Sequence, residues 1–202
     1  MRPIIVIAPW SSGSTAVAGF LHHCGAYTCP PHQHTGDIWT PNSYEPLRYG
    51  EALRELFDEF TLEKKGNIKD FEHFFENFYS EQVGIAQSLG FQFIALKHPL
   101  QTFILHYLNT FLRPKYVLVT RPLKKIEATR QRRNWHPVYG EKGAEQIYKT
   151  ATSFLLDNSC SYLAIPYNAL LNDDCSRHQL LGFCDLSPSN EMLQQALDFL
   201  RN

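Results

Sequence analysis

The chain has 202 residues, 44% of them hydrophobic, enough for one globular domain with a full core. Its 19 lysines and arginines nearly balance its 20 aspartates and glutamates, which argues against a duplex nucleic-acid partner or an anionic membrane surface and requires any anion site to be local. No apolar run approaches the length of a transmembrane helix, and Met1-Arg2-Pro3 leads into a strand instead of a signal-peptide core, so a cytoplasmic protein with no membrane partner is expected.

Ile4-Ile5-Val6-Ile7 reads as a strand buried on both faces of a parallel sheet. The segment after it, Ser11-Ser12-Gly13-Ser14-Thr15, is small and polar: Gly13 permits a sharp turn and close approach of a ligand, and the hydroxyls supply donors. A helix follows to His23, stopped by Gly25, and its amino end predicts an anion site for phosphate or sulfate. The loop is no G-x-x-x-x-G-K-[ST] nucleotide loop, because Ala8 stands at the first glycine and no lysine follows Gly13.

Ala26-Tyr27-Thr28 predicts a short second strand. From Cys29 to Pro46, four prolines, Gly36 and Asn42 predict an irregular segment whose His32, His34, Trp39 and Tyr44 favour a folded flap beside the anion loop. Cys24, Cys29, His32 and His34 are close together, but their spacing fits no zinc ribbon or finger, so no metal is expected. The five cysteines are odd in number and scattered, as reduced thiols would be.

Helical spacing covers Glu51 to Phe60 and Ile68 to Leu89, where Phe71, Phe74, Phe75 and Phe78 form a stripe suited to core packing. Phe91 to Leu96 predicts a central strand that delivers Lys97 and His98 to the ligand-binding edge of the sheet. A helix from Pro99 to Arg113 precedes the next buried strand, Tyr116 to Thr120. Arg121 leaves that strand, Pro122 opens a helix, and Thr129 lies two turns along it on the same side, so Arg121 and Thr129 can clamp one further phosphate. Asn134 to Lys142 predicts an irregular lid containing Trp135 and Tyr139. A helix at 144–158, a strand at 161–165 and short helices at 166–171, 180–183 and 189–200 complete an α/β three-layer sandwich with a mainly parallel sheet.

Taken in this order, the residues resemble the sulfotransferases that use 3′-phosphoadenosine-5′-phosphosulfate (PAPS). Ser12-Gly13-Ser14-Thr15 matches the family's basic-S-G-[ST]-T loop except for the basic residue, which here is Ser11. Arg121 and Thr129 have the separation of the family's arginine and serine on the cofactor's 3′-phosphate. Lys97-His98-Pro99 is similar to a K-x-H-x-P strand end, residues 164–171 to a Y-E-D-L segment, and Leu181-Gly182-Phe183 to the family's tail. The resemblance spans nearly the whole chain and implies one sulfotransferase-like domain, 1–202, of P-loop NTPase-like fold. It implies transfer of a sulfuryl group from PAPS to a hydroxyl or amine of a small-molecule or glycan acceptor, leaving adenosine 3′,5′-bisphosphate (PAP). Ser11, Ser12, Gly13, Ser14, Thr15, Arg121 and Thr129 would hold the cofactor, and no metal is demanded. Lys97 would replace the missing loop cation, and His98 would take the acceptor's proton, with His34 or Asp37 as substitutes. His32, His34 and Trp39 would contact the acceptor. A non-catalytic module binding PAP, or a P-loop kinase, are the other readings.

Overall fold

The computed structural model describes residues 1–37 and 41–201. Its first half runs β1 (Arg2–Ile7), α1 (Ser14–His23), β2 (Ala26–Tyr27), β3 (His32–His34), β4 (Asn42–Pro46), α2 (Leu47–Leu56) and α3 (Ile68–Ser88). The second half runs β5 (Phe93–Lys97), α4 (Leu105–Leu112), β6 (Lys115–Thr120), α5 (Leu123–Arg132), α6 (Glu141–Asp157), β7 (Tyr162–Pro166), α7 (Tyr167–Asn172), α8 (Asp174–Cys184) and α9 (Asn190–Arg201). Among the described residues, five parallel strands form the central sheet in the order β2-β5-β1-β6-β7.

Strand alternation divides the apolar residues of β1 between two cores. Ile4, Val6 and Ala8 join Val17, Phe20 and Leu21 of α1 with Leu180, Leu181 and Ala196 on one face. Ile5 and Ile7 join Tyr49, Leu53, Phe71, Phe75, Phe78 and Phe154 on the other. Helices therefore cover both faces, and the α3 stripe is core, with Tyr49 stacked on Phe78 at 5.9 Å. Burying such a phenyl ring contributes about 2 to 3 kcal/mol. Cys24 and Cys29 fall on opposite faces of the sheet, so the cysteine–histidine grouping is not assembled. No group of three or more metal-ligating side chains occurs among the described residues, and no helix there is long and apolar enough to cross a membrane.

Several elements differ from the sequence reading. The segment expected to be irregular contains an antiparallel pair, β3 with β4, which the prolines at positions 31 and 46 bracket without interrupting. α2 starts at Leu47 because Pro46, which has no N–H to leave unpaired, stands at its amino end. The helix expected from Pro99 begins as a 3-10 turn to Ile104 before α4. The lid carries a 3-10 turn over Pro137–Tyr139, and α8 begins six residues before the short segment expected at 180–183.

The chain leaves β1 for the β2 edge, returns through β5, and then crosses β1 to reach β6. Order reversals of this kind open a crevice at the carboxyl ends of the strands. Gln101 fastens that end: its Nε2 donates to Val6 O at 2.8 Å, and its Oε1 accepts from the Tyr49 hydroxyl at 3.2 Å.

Candidate functional site

At this edge, the loops leaving β1, β5 and β6 enclose a cavity of about 1310 Å³. Its wall includes Ser11, Gly13, Ser14 and Thr15 from the β1–α1 loop, Lys97 and His98 from the end of β5, and Arg121 and Thr129 from β6 and α5. These residues span more than half the sequence and are brought together by strand order alone.

The β1–α1 loop is built to receive an anion. No side chain among the described residues caps α1, and although Ala16 N donates to Gly13 O at 3.0 Å, the N–H groups of Ser14 and Thr15 remain for a ligand. Gly13 adopts φ 91°, and a Cβ there would run into the ring of Tyr167, so glycine is required for both conformation and space. Ser11 is 9% exposed, yet its Oγ has no hydrogen-bond partner among the described residues, an arrangement that costs about 1 to 3 kcal/mol unless a ligand satisfies it. Ser12 is turned away from the cavity: fully buried, it donates its hydroxyl to Pro9 O at 2.7 Å and shapes the loop from within.

Lys97 and His98 are 4% and 2% exposed. Lys97 Nζ donates to Glu45 Oε1 at 2.6 Å and to Ser43 O at 3.0 Å, and reaches Thr15 Oγ1 at 3.5 Å, which ties β5 to β4 and to the anion loop. Burial alone would push the Glu45 carboxyl up, but Lys97, His98 and Arg54 outweigh it and hold the group below the usual carboxylate range. Burial lowers His98 to about 4. Its Nδ1 accepts from Leu100 N at 3.2 Å, so the neutral ring carries its proton on Nε2, 3.9 Å from Glu45 Oε2.

Arg121 donates to Ser11 O at 2.8 Å and lies 4.8 Å above the Tyr167 ring, joining the end of β6 to the anion loop. Its own N–H donates to the Tyr148 hydroxyl at 3.1 Å, which in turn donates to Val119 O at 3.1 Å. Thr129 lines the cavity with its hydroxyl donated to Lys125 O at 3.0 Å, an intrahelical bond that an incoming acceptor can replace. Over the cavity, Trp10 packs on Tyr139 at 4.7 Å between centroids, with Trp135 against the same ring at 6.1 Å. Asp37 pairs with Arg133 at 2.5 Å, joining the segment after β3 to the one after α5.

Two of the residues expected to touch an acceptor lie elsewhere. Alternation along β3 turns Gln33 toward the cavity and His32 and His34 away from it. His32 instead bonds Thr28 O through Nε2 at 3.0 Å, and His34 is exposed. Trp39 lies outside the described residues. Glu45, Arg54 and Tyr167 line the cavity without having been singled out from sequence. The only available signal for Glu45 was a carboxylate embedded in an aromatic, proline-bounded segment. No protein-family model matches the chain, and no curated protein matches it in sequence.

Proposed function

We propose that the protein is a sulfotransferase of P-loop NTPase-like fold that moves a sulfuryl group from PAPS to an acceptor hydroxyl. One observation carries the reading: an uncapped helix amino end and a separate Arg121–Thr129 pair, leaving different strands, open on one cavity. Two phosphate-sized anion sites on one wall suit a ligand phosphorylated at two positions better than a single phosphate. The unpaired Ser11 hydroxyl and the Gly13 cradle fit the same ligand. The loop lacks a lysine, but Lys97 reaches Thr15 from β5 and supplies a cation beside the loop.

When bound, the cofactor supplies the sulfuryl group, whose bond to the 5′-phosphate oxygen breaks as the acceptor oxygen bonds to sulfur. The N–H groups of α1 and the ammonium of Lys97 stabilise the charge gathering on the departing phosphate. The acceptor's proton goes to Glu45 Oε2, the carboxylate oxygen not engaged by Lys97. His98, whose Nδ1 lone pair is taken by Leu100 and whose Nε2 bears the proton 3.9 Å from that carboxylate, is not itself the base. Arg121 and Thr129 hold the 3′-phosphate.

The test is calorimetric titration and thermal shift with PAP, set against magnesium-ATP and adenosine 5′-phosphate. PAP at a hundredfold over its Kd should stabilise the fold by about 2.7 kcal/mol. Arg121→Ala should weaken PAP by about 1.5 to 3 kcal/mol while the protein stays folded. A preference for magnesium-ATP, or no shift with any of the three, refutes the reading; PAP binding without transfer to any acceptor would leave a non-catalytic binding module.

A further inference from the structure

The cavity carries more positive charge than the two phosphate clamps use, and its distribution points to the acceptor. Lys97 is matched by Glu45 and Arg133 by Asp37, while Arg121 belongs to the proposed 3′-phosphate clamp and donates to Ser11 O. Arg54, on the last turn of α2, lines the same cavity and forms no ion pair among the described residues. It sits at the reacting corner: a Cβ placed on Gly50 would meet both Arg54 Nη1 at 3.3 Å and His98 Cδ2 at 3.2 Å, and the charge of Arg54 reaches Glu45, His98 and Tyr139. The other carboxylate on this wall, Glu59, interacts with the Tyr139 hydroxyl. Arg132, exposed on α5, is a second cation on the wall outside any ion pair among the described residues.

Next to these cations stand the rings of Trp10, Trp135 and Tyr139. Aromatic faces hold flat or ring-shaped ligands, and a guanidinium at hydrogen-bond range selects carboxylate or sulfate by its planar fork. Arg54 is half-buried, and the carboxylate its charge reaches, Glu45, is already matched by Lys97, so a neutral acceptor would leave the guanidinium only partly compensated.

Resting on the proposed transferase reading, we propose that the acceptor is a ring compound bearing an anionic group, carboxylate or sulfate, beside its reacting hydroxyl, and that Arg54 binds that group. The ring can be an acidic sugar or a hydroxyaryl acid; both present the same chemistry to Arg54.

The experiment measures PAPS-dependent transfer, and acceptor binding in the presence of PAP, for four acceptors: a glucuronate-containing tetrasaccharide and its methyl ester, and a hydroxybenzoate and its methyl ester. Wild-type protein should favour at least one acid over its ester by about tenfold or more in KM and Kd. Arg54→Gln should collapse that ratio toward one, Arg54→Lys should restore part of it, and PAP affinity should be unaltered in both. The sugar and aryl arms identify the source of the ring. Equal use of acid and ester, an acid preference that survives Arg54→Gln, or use of none of the four overturns the inference. Because PAP affinity is read separately, its loss in the wild type would instead refute the transferase reading.

Discussion

Replacing Lys97 by methionine keeps most of the unbranched stem and removes the ammonium. The side chains of Lys97 and Glu45 are 5% and 12% exposed, so the substitution leaves a largely buried carboxylate without its principal counter-charge. Breaking such a pair costs about 3 to 5 kcal/mol, and the lower end applies here because Glu45 borders an open cavity. Urea unfolding with linear extrapolation at pH 7.5 and pH 5 measures both the size and the origin of the loss. In the wild type the folded Glu45 carboxyl titrates below its unfolded value of about 4.3, so the pair's contribution is present above that value and is lost only as pH falls through the lower folded one. It should be flat between pH 7.5 and 5. In the variant, burial is no longer outweighed, and the Glu45–His98 pair takes up a proton within this window, whichever member holds it. A folded state that gains a proton is favoured by acid, so the deficit relative to wild type should shrink by about 1 to 2 kcal/mol at pH 5. A deficit below about 1 kcal/mol, the same at both pH values, would mean that Lys97–Glu45 behaves as an exposed pair and would refute its role as the anchor of the site.

Glu45→Gln should reduce sulfuryl transfer by about 10²-fold or more while PAP affinity stays near that of the wild type; retained turnover would move the proton acceptor elsewhere. His98 is held near 4 by burial, so the unfolded chain takes its proton first and stability should fall by about 3 kcal/mol as pH drops from 6.5 to 4. His98→Asn keeps an acceptor for Leu100 N and should flatten this part of the urea-midpoint profile; parallel profiles would contradict the assignment. Gly13→Ala should cost about 1 to 2 kcal/mol from left-handed backbone strain alone, with a further loss from the Tyr167 ring. In a double-mutant cycle, Tyr167→Ala should remove only the second part, and complete additivity would show that the ring is no obstacle.

The parallel strands were legible because aliphatic runs such as Ile4 to Ile7 and Val117 to Val119 mark burial on two faces, whatever their neighbours are. The same runs place the β1–α1 loop, Lys97 and Arg121 at strand ends without reference to packing. The β3–β4 pair was illegible for the opposite reason: its residues carry no alternating apolar pattern, and proline and glycine chemistry dominates the stretch. With that pair hidden, the sidedness of His32 and His34 could not be inferred, since one residue of register reverses every side chain. Glu45 was lost for the same reason, because its meaning depends on Lys97, 52 residues later.

That dependence explains how the carboxylate is held. Among the described residues β4 pairs with β3 and not with the central sheet, so side chains fix the position of Glu45. Lys97 grips it from β5, and the preceding residue, Tyr44, is wedged between His32 at 5.2 Å and Phe199 of α9 at 5.7 Å. Gly19 makes room for this: a Cβ there would collide with the Phe199 ring and press on Tyr44. Tyr44 has φ 55°, a conformation that costs a non-glycine residue about 1 kcal/mol or more, and Asn42 Oδ1 holds it there by accepting from Tyr44 N at 2.9 Å. Strain of this kind persists only where surrounding contacts overdetermine the backbone. The carboxylate assigned the acceptor's proton is therefore fixed jointly by the end of β5 and by the last helix, which lies more than 140 residues away in sequence yet shares the cavity wall through Phe199, Leu200 and Arg201.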